Sequence, residues 1–251
     1  MRALARWIGL VAIAGLALQF FFLARIALMA VVDPQSTAFQ RSEAWRIAVQ
    51  SATDPKADWR WRQRWVPGEQ ISPHLKRAVI ASEDGGFTSH EGVDWEALEK
   101  AWERNTRAEE QAARRAGRAQ LVPRPVKPPK VVGGSTITQQ LAKNVLLSGE
   151  RTLLRKGQEF VLAFALEKML SKERILEIYL NSVEWGEGVF GAEAAARHYY
   201  RKGAGQLSAY EAARLAVMLP RPKYFERVPN SGYLASRAST IVARMRDAEL
   251  P

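Results

Sequence analysis

The chain has 251 residues, 47% apolar and 25% charged, which is enough to bury a core but leaves no room for two large catalytic domains. It contains no cysteine, which excludes a disulfide framework, a Cys-ligated metal and a thiol nucleophile, and three scattered histidines, His74, His90 and His198, argue against a His-rich metal site. Lys and Arg outnumber Asp and Glu by 37 to 26, a net charge of +11, so a polyanionic partner is indicated: nucleic acid, anionic lipid headgroups or a phosphorylated substrate.

The first element is an apolar run, WIGLVAIAGLALQFFFLA, from Trp7 to Ala24, with Gln19 as its only strongly polar side chain. At about 1.5 Å per residue it reaches roughly 27 Å, close to the hydrocarbon thickness of a bilayer. Arg25 can snorkel to an interface, and seven more apolar residues follow to Val32. The run is longer than a signal-peptide core and lacks a small-x-small cleavage site, so residues 7–32 read as an uncleaved anchor. Arg2, Arg6 and the terminal amine precede it, so residues 1–6 should form a cytoplasmic tail. Everything after about residue 33 then lies outside the cytoplasm, which weakens the nucleic-acid reading.

Residues 33–70, with Trp59, Trp61 and Trp65 among arginines, read as a juxtamembrane connector. A domain from 71 to 251 follows, rich in helix signals. Ser72-Pro73 is an N-cap with proline at the first helical position, and Leu75, Ala78 and Val79 supply an apolar face. Asp94 opens a second helix carrying Ala97, Leu98, Ala101 and Trp102 on one side. Residues 104–130 hold eight Lys or Arg against Glu109 and Glu110 and end in PRPVKPP. The front of this insertion should extend the helix until the prolines break it, leaving a solvated loop or a patch on anionic lipid. Ser135 starts another helix, and one more runs from about 151 to 170. The next covers 172–183, and Gly191 leads into an Ala-rich helix. A capping box at Ser208 and Glu211 precedes ARLAVML, and a last helix spans about 231–249. Alternating strand patterns are scarce, so the fold class is mainly α.

Three clusters could carry chemistry. Glu83 and Asp84 close the first helix of the domain, before Gly85, Gly86 and Phe87. An acidic pair at a helix end is usually solvated, but a Gly pair and an aromatic also suit a cleft edge. In GGSTITQQLAKN (133–144), two glycines and Ser135-Thr136 enter a helix, leaving backbone N–H groups at its positive end. Gln140, Lys143 and Asn144 lie on nearby faces. That pattern fits an anion site or an ordinary capped surface helix. In the third cluster Arg151, Arg155 and Glu159 share a face by successive i+4 steps, with Lys156 beside them. The turns that follow, Phe160 to Phe164, are apolar almost all round, which suggests an interior helix and hence an anion pocket.

At these residues the chain resembles the peptidoglycan glycosyltransferases of glycosyltransferase family 51, and in length their monofunctional biosynthetic type. EDGGFTSHEG (83–92), GGSTITQQLAKN (133–144), RTLLRKGQE (151–159), ILEIYLNSVEWGEGVFGAEAAARHYY (175–200) and LAVMLPRPKYF (215–225) fit that family's motifs in order. The resemblance covers roughly residues 70–225, and the second string is highly specific. It implies a lysozyme-like helical lobe with a smaller lobe beside the bilayer, in a single-pass enzyme of the inner membrane with its catalytic domain in the periplasm. Such an enzyme polymerises lipid II into β-1,4-linked glycan with release of undecaprenyl pyrophosphate.

Carried over by motif, Glu83 is the general base and Glu159 the supporting carboxylate. Lys143, Arg151 and Lys156 hold the pyrophosphate, and Ser135, Gln140, Phe87 and Asn181 shape the cleft. No cofactor or protein-bound metal is required, with Mg or Mn at the pyrophosphate as the one accessory ion. Expected partners are lipid II, the growing strand, membrane lipids and division or elongation proteins, and no nucleic acid. The insertion at 104–130 is longer than the family pattern, and Gly85-Gly86 fills the first motif unusually. Competing readings are a glycan-cleaving lysozyme or lytic transglycosylase and a non-catalytic scaffold for wall assembly. A transpeptidase domain is not expected: no Ser-x-x-Lys occurs, and only about 25 residues follow the last motif.

Overall fold

The computed structural model describes residues 1–54, 59–119, 134–147, 149 and 152–251, with the backbone alone for 115–119. Helix α1 runs from Arg2 to Met29, beginning before the expected span. It is long and apolar enough to cross a membrane. Most of it is exposed, but Phe22, Ile26 and Met29 are buried against the domain.

Residues 33–70 are more than a connector. Helix α2 (Ala38–Thr53) opens on a capping box between Thr37 and Gln40. Gln40 also donates through Nε2 to the Ser182 carbonyl at 3.3 Å, and Ile47 is buried. Strand β1 (Arg62–Gln63) joins a sheet, and Val66 enters the core. Mixed composition hid this segment because its attachment is made by single buried residues, not by a periodic face.

Helix α3 (Pro73–Glu83) is capped by Ser72, whose hydroxyl accepts from the His74 N–H, and it buries Leu75, Ala78 and Val79 as expected. Helix α4 (Trp95–Ala119) starts after Asp94, which accepts from the Ala97 N–H at 2.8 Å. It carries the front of the basic insertion, whereas the proline-rich part, 123–129, lies outside the described residues. Helix α5 (Ile137–Leu146) is capped by Thr136 rather than Ser135, in a reciprocal box with Gln139.

Helices α6 (Leu153–Met169) and α7 (Lys172–Ser182) follow, the second capped by Ser171. Strands β2 (Glu184–Gly186) and β3 (Val189–Phe190) complete a small sheet in the order β1-β3-β2, parallel between β1 and β3 and antiparallel between β3 and β2. Strands this short, with β2 and β3 wholly buried, show no alternation. Helices α8 (Ala192–Tyr200), α9 (Ala209–Met218), α10 (Pro222–Arg227) and α11 (Gly232–Arg244) complete the chain. The expected Ser208–Glu211 box caps α9, and α11 ends earlier than the sequence suggested.

Helices α3, α9 and α11 pack as one group, while α5 packs on α2, α6 and α7. Trp185, fully buried, donates its indole N–H to the Leu215 carbonyl at 3.1 Å and ties the sheet to α9. Gly191 precedes α8 with φ +84°, and a Cβ there would meet the Asn181 carbonyl oxygen at 2.7 Å. Backbone strain and this clash together should make Gly191→Ala unfold about 1–3 kcal/mol more easily. Thermal unfolding reads this directly, and an unchanged Tm would refute it.

Candidate active site

Glu83 is the last residue of α3 and faces α5. Gln140 Nε2 donates to Glu83 Oε2 at 3.1 Å. Tyr179 on α7 donates its hydroxyl to Gln140 Oε1 at 2.9 Å, which fixes the amide so that its N–H points at the carboxylate. Glu83 Oε1 has only a 3.5 Å contact from the Ser82 hydroxyl, so this oxygen is the more available of the two. Burial lifts the Glu83 pKa above the usual glutamate value; hydrogen bonds from Gln140 and Ser82 pull against it, Asp84 adds to it, and Lys143 opposes it. Tyr179 is fully buried, and burial with the nearby Glu83 and Asp84 pushes its hydroxyl well above the ordinary tyrosine range. It therefore stays a proton donor to Gln140.

Asp84 has a different task from its neighbour. It is buried, bonds His90 Nε2 through Oδ1 at 2.9 Å and accepts the Ile137 N–H through Oδ2 at 2.9 Å. The Gln139 N–H is taken by Thr136 Oγ1 at 3.1 Å. The positive end of α5, which the sequence left open as either an anion site or an ordinary capped end, is filled by the protein's own carboxylate and cap. Asp84 locks α3 to α5 and thereby sets Glu83 opposite Gln140.

Glu159 on α6 is buried and accepts from Arg155 Nη1 at 3.1 Å and, in a close contact, from Lys156 Nζ. Lys156 also sits 5.0 Å above the Phe160 ring. Arg155 belongs to the i+4 face seen in the sequence. Arg151, expected beside them, lies outside the described residues. Helix α6 is not interior: Leu153, Leu154, Val161 and Phe164 are exposed, and only the opposite face, with Leu162, Ala163 and Leu166, is core.

Glu83 and Ser135 line one hollow. Ser135 also lines a second with Gln140, Lys143, Arg155, Lys156 and Glu159. A third, sharing Gln140, Lys143 and Arg155 with the second, continues past Asn144 and Tyr179 to Glu184 on β2. Shared walls make these one groove. It brings Glu83, Ser135, Gln140, Lys143, Lys156 and Glu159 together, with a carboxylate on one stretch and cations on the next.

Two expected residues stand apart. Phe87 is fully buried, with Lys172 Nζ 4.6 Å above its ring. Asn181 is fully buried and holds the backbone of Val66, accepting its N–H at 3.0 Å and donating to its carbonyl at 2.9 Å. Neither lines the groove. Conversely, the sequence reading passed over Tyr179, a residue whose only sequence signal was its place on an apolar helix face. It also missed Glu184, which burial pushes up to about 7, with Lys223 opposing and Glu43 and Glu187 adding to the rise.

The Tyr179–Gln140–Glu83 chain makes a testable demand. Tyr179→Phe leaves the Gln140 carbonyl without its partner at the half-buried wall of the groove, which costs at most about 1–3 kcal/mol. The amide then loses the bond that fixes its orientation, so turnover should fall while substrate binding changes little. Separate kcat and KM values check this, and a parental kcat would remove Tyr179 from the site.

The sequence profile of the Transglycosylase family matches residues 52–246. The chain is 51% identical to a protein of Burkholderia thailandensis over 254 residues, covering 100% of this chain and 90% of the relative. It is 51% identical to one of Bordetella pertussis over 233 residues, covering 93% and 88%. With one of Paraburkholderia xenovorans it shares 48% identity over 250 residues, covering 98% and 94%. All three are called biosynthetic peptidoglycan transglycosylase.

Proposed function

We propose a reaction for this chain on the premise that it belongs to the transglycosylase family, as a match over residues 52–246 and full-length relatives at about half identity require. It is a peptidoglycan glycosyltransferase of cell-wall biosynthesis, and its substrates are lipid II and the growing glycan strand. The observation that carries the reading of the site is the juxtaposition, in one groove, of the Glu83 carboxylate with the cations around Glu159.

Glu83 Oε1 takes the proton of the acceptor GlcNAc 4-hydroxyl. That oxygen attacks the anomeric carbon of the donor MurNAc. The bond from that carbon to the diphosphate breaks, and its electron pair leaves with undecaprenyl pyrophosphate. Attack from the opposite face turns the α-linked donor into a β-1,4 linkage. Lys143, Lys156 and Arg155 neutralise the charge that develops on the leaving diphosphate, so no acid need protonate it. Arg151 is proposed as a further such cation from its motif position. Ser135 and Gln140 border the reacting groups, whereas Phe87 and Asn181, both fully buried, act only through the fold.

Mg or Mn at the diphosphate, the accessory ion that the family resemblance implies, is retained as a proposal. Helix α1 anchors the enzyme to a membrane. The proposed membrane is the inner one, with the start of α1 cytoplasmic and the domain periplasmic, an orientation that Arg2 and Arg6 ahead of the apolar run support. Division or elongation proteins are proposed as partners from the reaction alone.

Incubation of the full chain with labelled lipid II tests the reading. A ladder of glycan products that collapses on muramidase treatment is expected. No ladder, or release of product from purified glycan without any lipid-linked sugar, would overturn it.

A further inference from the structure

Gln19 lies within the apolar run of α1, where a leucine would suit a membrane span better. An amide without a partner in hydrocarbon is costly, because no water is there to replace its hydrogen bonds. Here it has one. Gln19 Nε2 donates to Gln158 Oε1 at 3.0 Å, and Gln158 Nε2 donates back to Gln19 Oε1 at 2.9 Å. The two amides close a ring between α1 and α6. On the next turns of α1, Phe22, Ile26 and Met29 are buried, and Arg174 of α7 donates to the Met29 carbonyl at 2.8 Å. The last third of the anchor is therefore part of the domain.

Helix geometry gives the depth of this contact. If Arg2 and Arg6 mark one headgroup layer, about 30 Å of hydrocarbon ends near residues 22–26. Gln19 then sits about 5–10 Å inside the far boundary. Helix α6 meets α1 at that level and turns its exposed Leu153, Leu154, Val161 and Phe164 away from the protein core. Trp95 stacks on Phe160, 6.2 Å between centroids, beside the same stripe. Arg155 and Lys156 lie within one turn of Gln158, at the lip of the groove.

We propose that the Gln19–Gln158 pair is a positioning clasp that fixes α6 to the anchor just inside the headgroup boundary, so that Lys156 and Arg155, within one turn of it, meet a lipid-borne diphosphate in the plane where the bilayer presents it. The inference rests on the reaction proposed above. Neither glutamine touches substrate; both act through α6. The exposed stripe of α6 rests among the acyl chains of the leaflet the anchor emerges from.

The test uses the full chain in phosphatidylethanolamine–phosphatidylglycerol vesicles carrying labelled lipid II. Gln19→Leu and Gln158→Leu should each lower kcat/KM about tenfold or more, because small displacements of catalytic groups have effects of that size. The double variant leaves no amide unpaired and should be no worse than either single one. In detergent with a short-chain lipid II analogue, which has no headgroup plane, all should match the parent. Because the chain has no cysteine, a fluorophore on Val161→Cys reports depth. Brominated acyl chains should quench it in the parent and less so when Gln19→Leu is added.

Parental rates for the single variants in vesicles would overturn the clasp. So would equal losses in vesicles and detergent, or an unquenched label in the parent. Should a single variant fail to fold, the double variant carries the comparison. A parent that makes no glycan would instead overturn the proposed reaction, while a fully active parent with unaffected variants would overturn the clasp alone.

Discussion

Glu83→Gln is expected to stop glycan polymerisation while the protein folds normally. Gln is isosteric and can still accept from Gln140 through its carbonyl, so the wall of the groove is kept. What it lacks is a basic oxygen for the acceptor hydroxyl proton. A positioned general base contributes about 10²–10⁴-fold, so turnover should fall by at least that lower figure. Stability should move the other way. Burial raises the Glu83 pKa, so the folded protein holds this proton more tightly than the unfolded chain does. The stability linked to it is present below the unfolded value and is lost as pH rises through the folded one. At neutral pH the charged carboxylate is thus a burden on the fold, and E83Q should melt at the same temperature or higher.

The same shift predicts the acid limb of the pH profile. Glu83 accepts a proton only when ionised, so kcat/KM should decline as pH drops through a value above that of a free glutamate. An active E83Q protein, or an acid limb at the ordinary glutamate value, would contradict the assignment.

The helices were legible because capping and periodicity are local. Ser72, Asp94 and the Ser208–Glu211 box each mark a helix start that the fold uses. The i+4 face of α6 was legible for the same reason, and Glu159 with Arg155 and Lys156 stands on it. Which way that face turned was not. An apolar helix has the same sequence whether protein or lipid covers it, and α6 has protein on one side only. Long-range pairings were also hidden. Nothing near Asp84 in sequence says that its partner is the Ile137 N–H, or that the amide of Gln140 is held by Tyr179. Those contacts depend on how α3, α5 and α7 meet, and they separate two adjacent carboxylates: Asp84 is held by His90 and the Ile137 N–H, while Glu83 faces the groove.

The cation cluster should separate catalysis from stability when its members are removed one at a time. Lys156 keeps 38% of its side chain exposed at the groove, whereas Glu159 keeps 4%. Lys156→Ala therefore removes a group facing the groove and little of the core. Losing one fixed donor to a developing anion costs about 10²–10³ in kcat, and that loss is expected here with an almost unchanged Tm. Glu159→Ala acts differently. It deletes the acceptor that holds both cations, and hydrogen bonds to charged groups of this kind are worth about 1.5–3 kcal/mol each. Arg155, with 17% of its side chain exposed, would be left without its carboxylate partner on α6. Glu159→Ala should therefore lower both Tm and kcat. Glu159→Gln, which still offers one carbonyl oxygen, should lower both by less. Lipid II turnover beside thermal unfolding distinguishes the two roles. An unchanged kcat in Lys156→Ala would place the diphosphate elsewhere in the groove. A Glu159→Ala protein of parental stability would mean that the cations need no carboxylate to hold them.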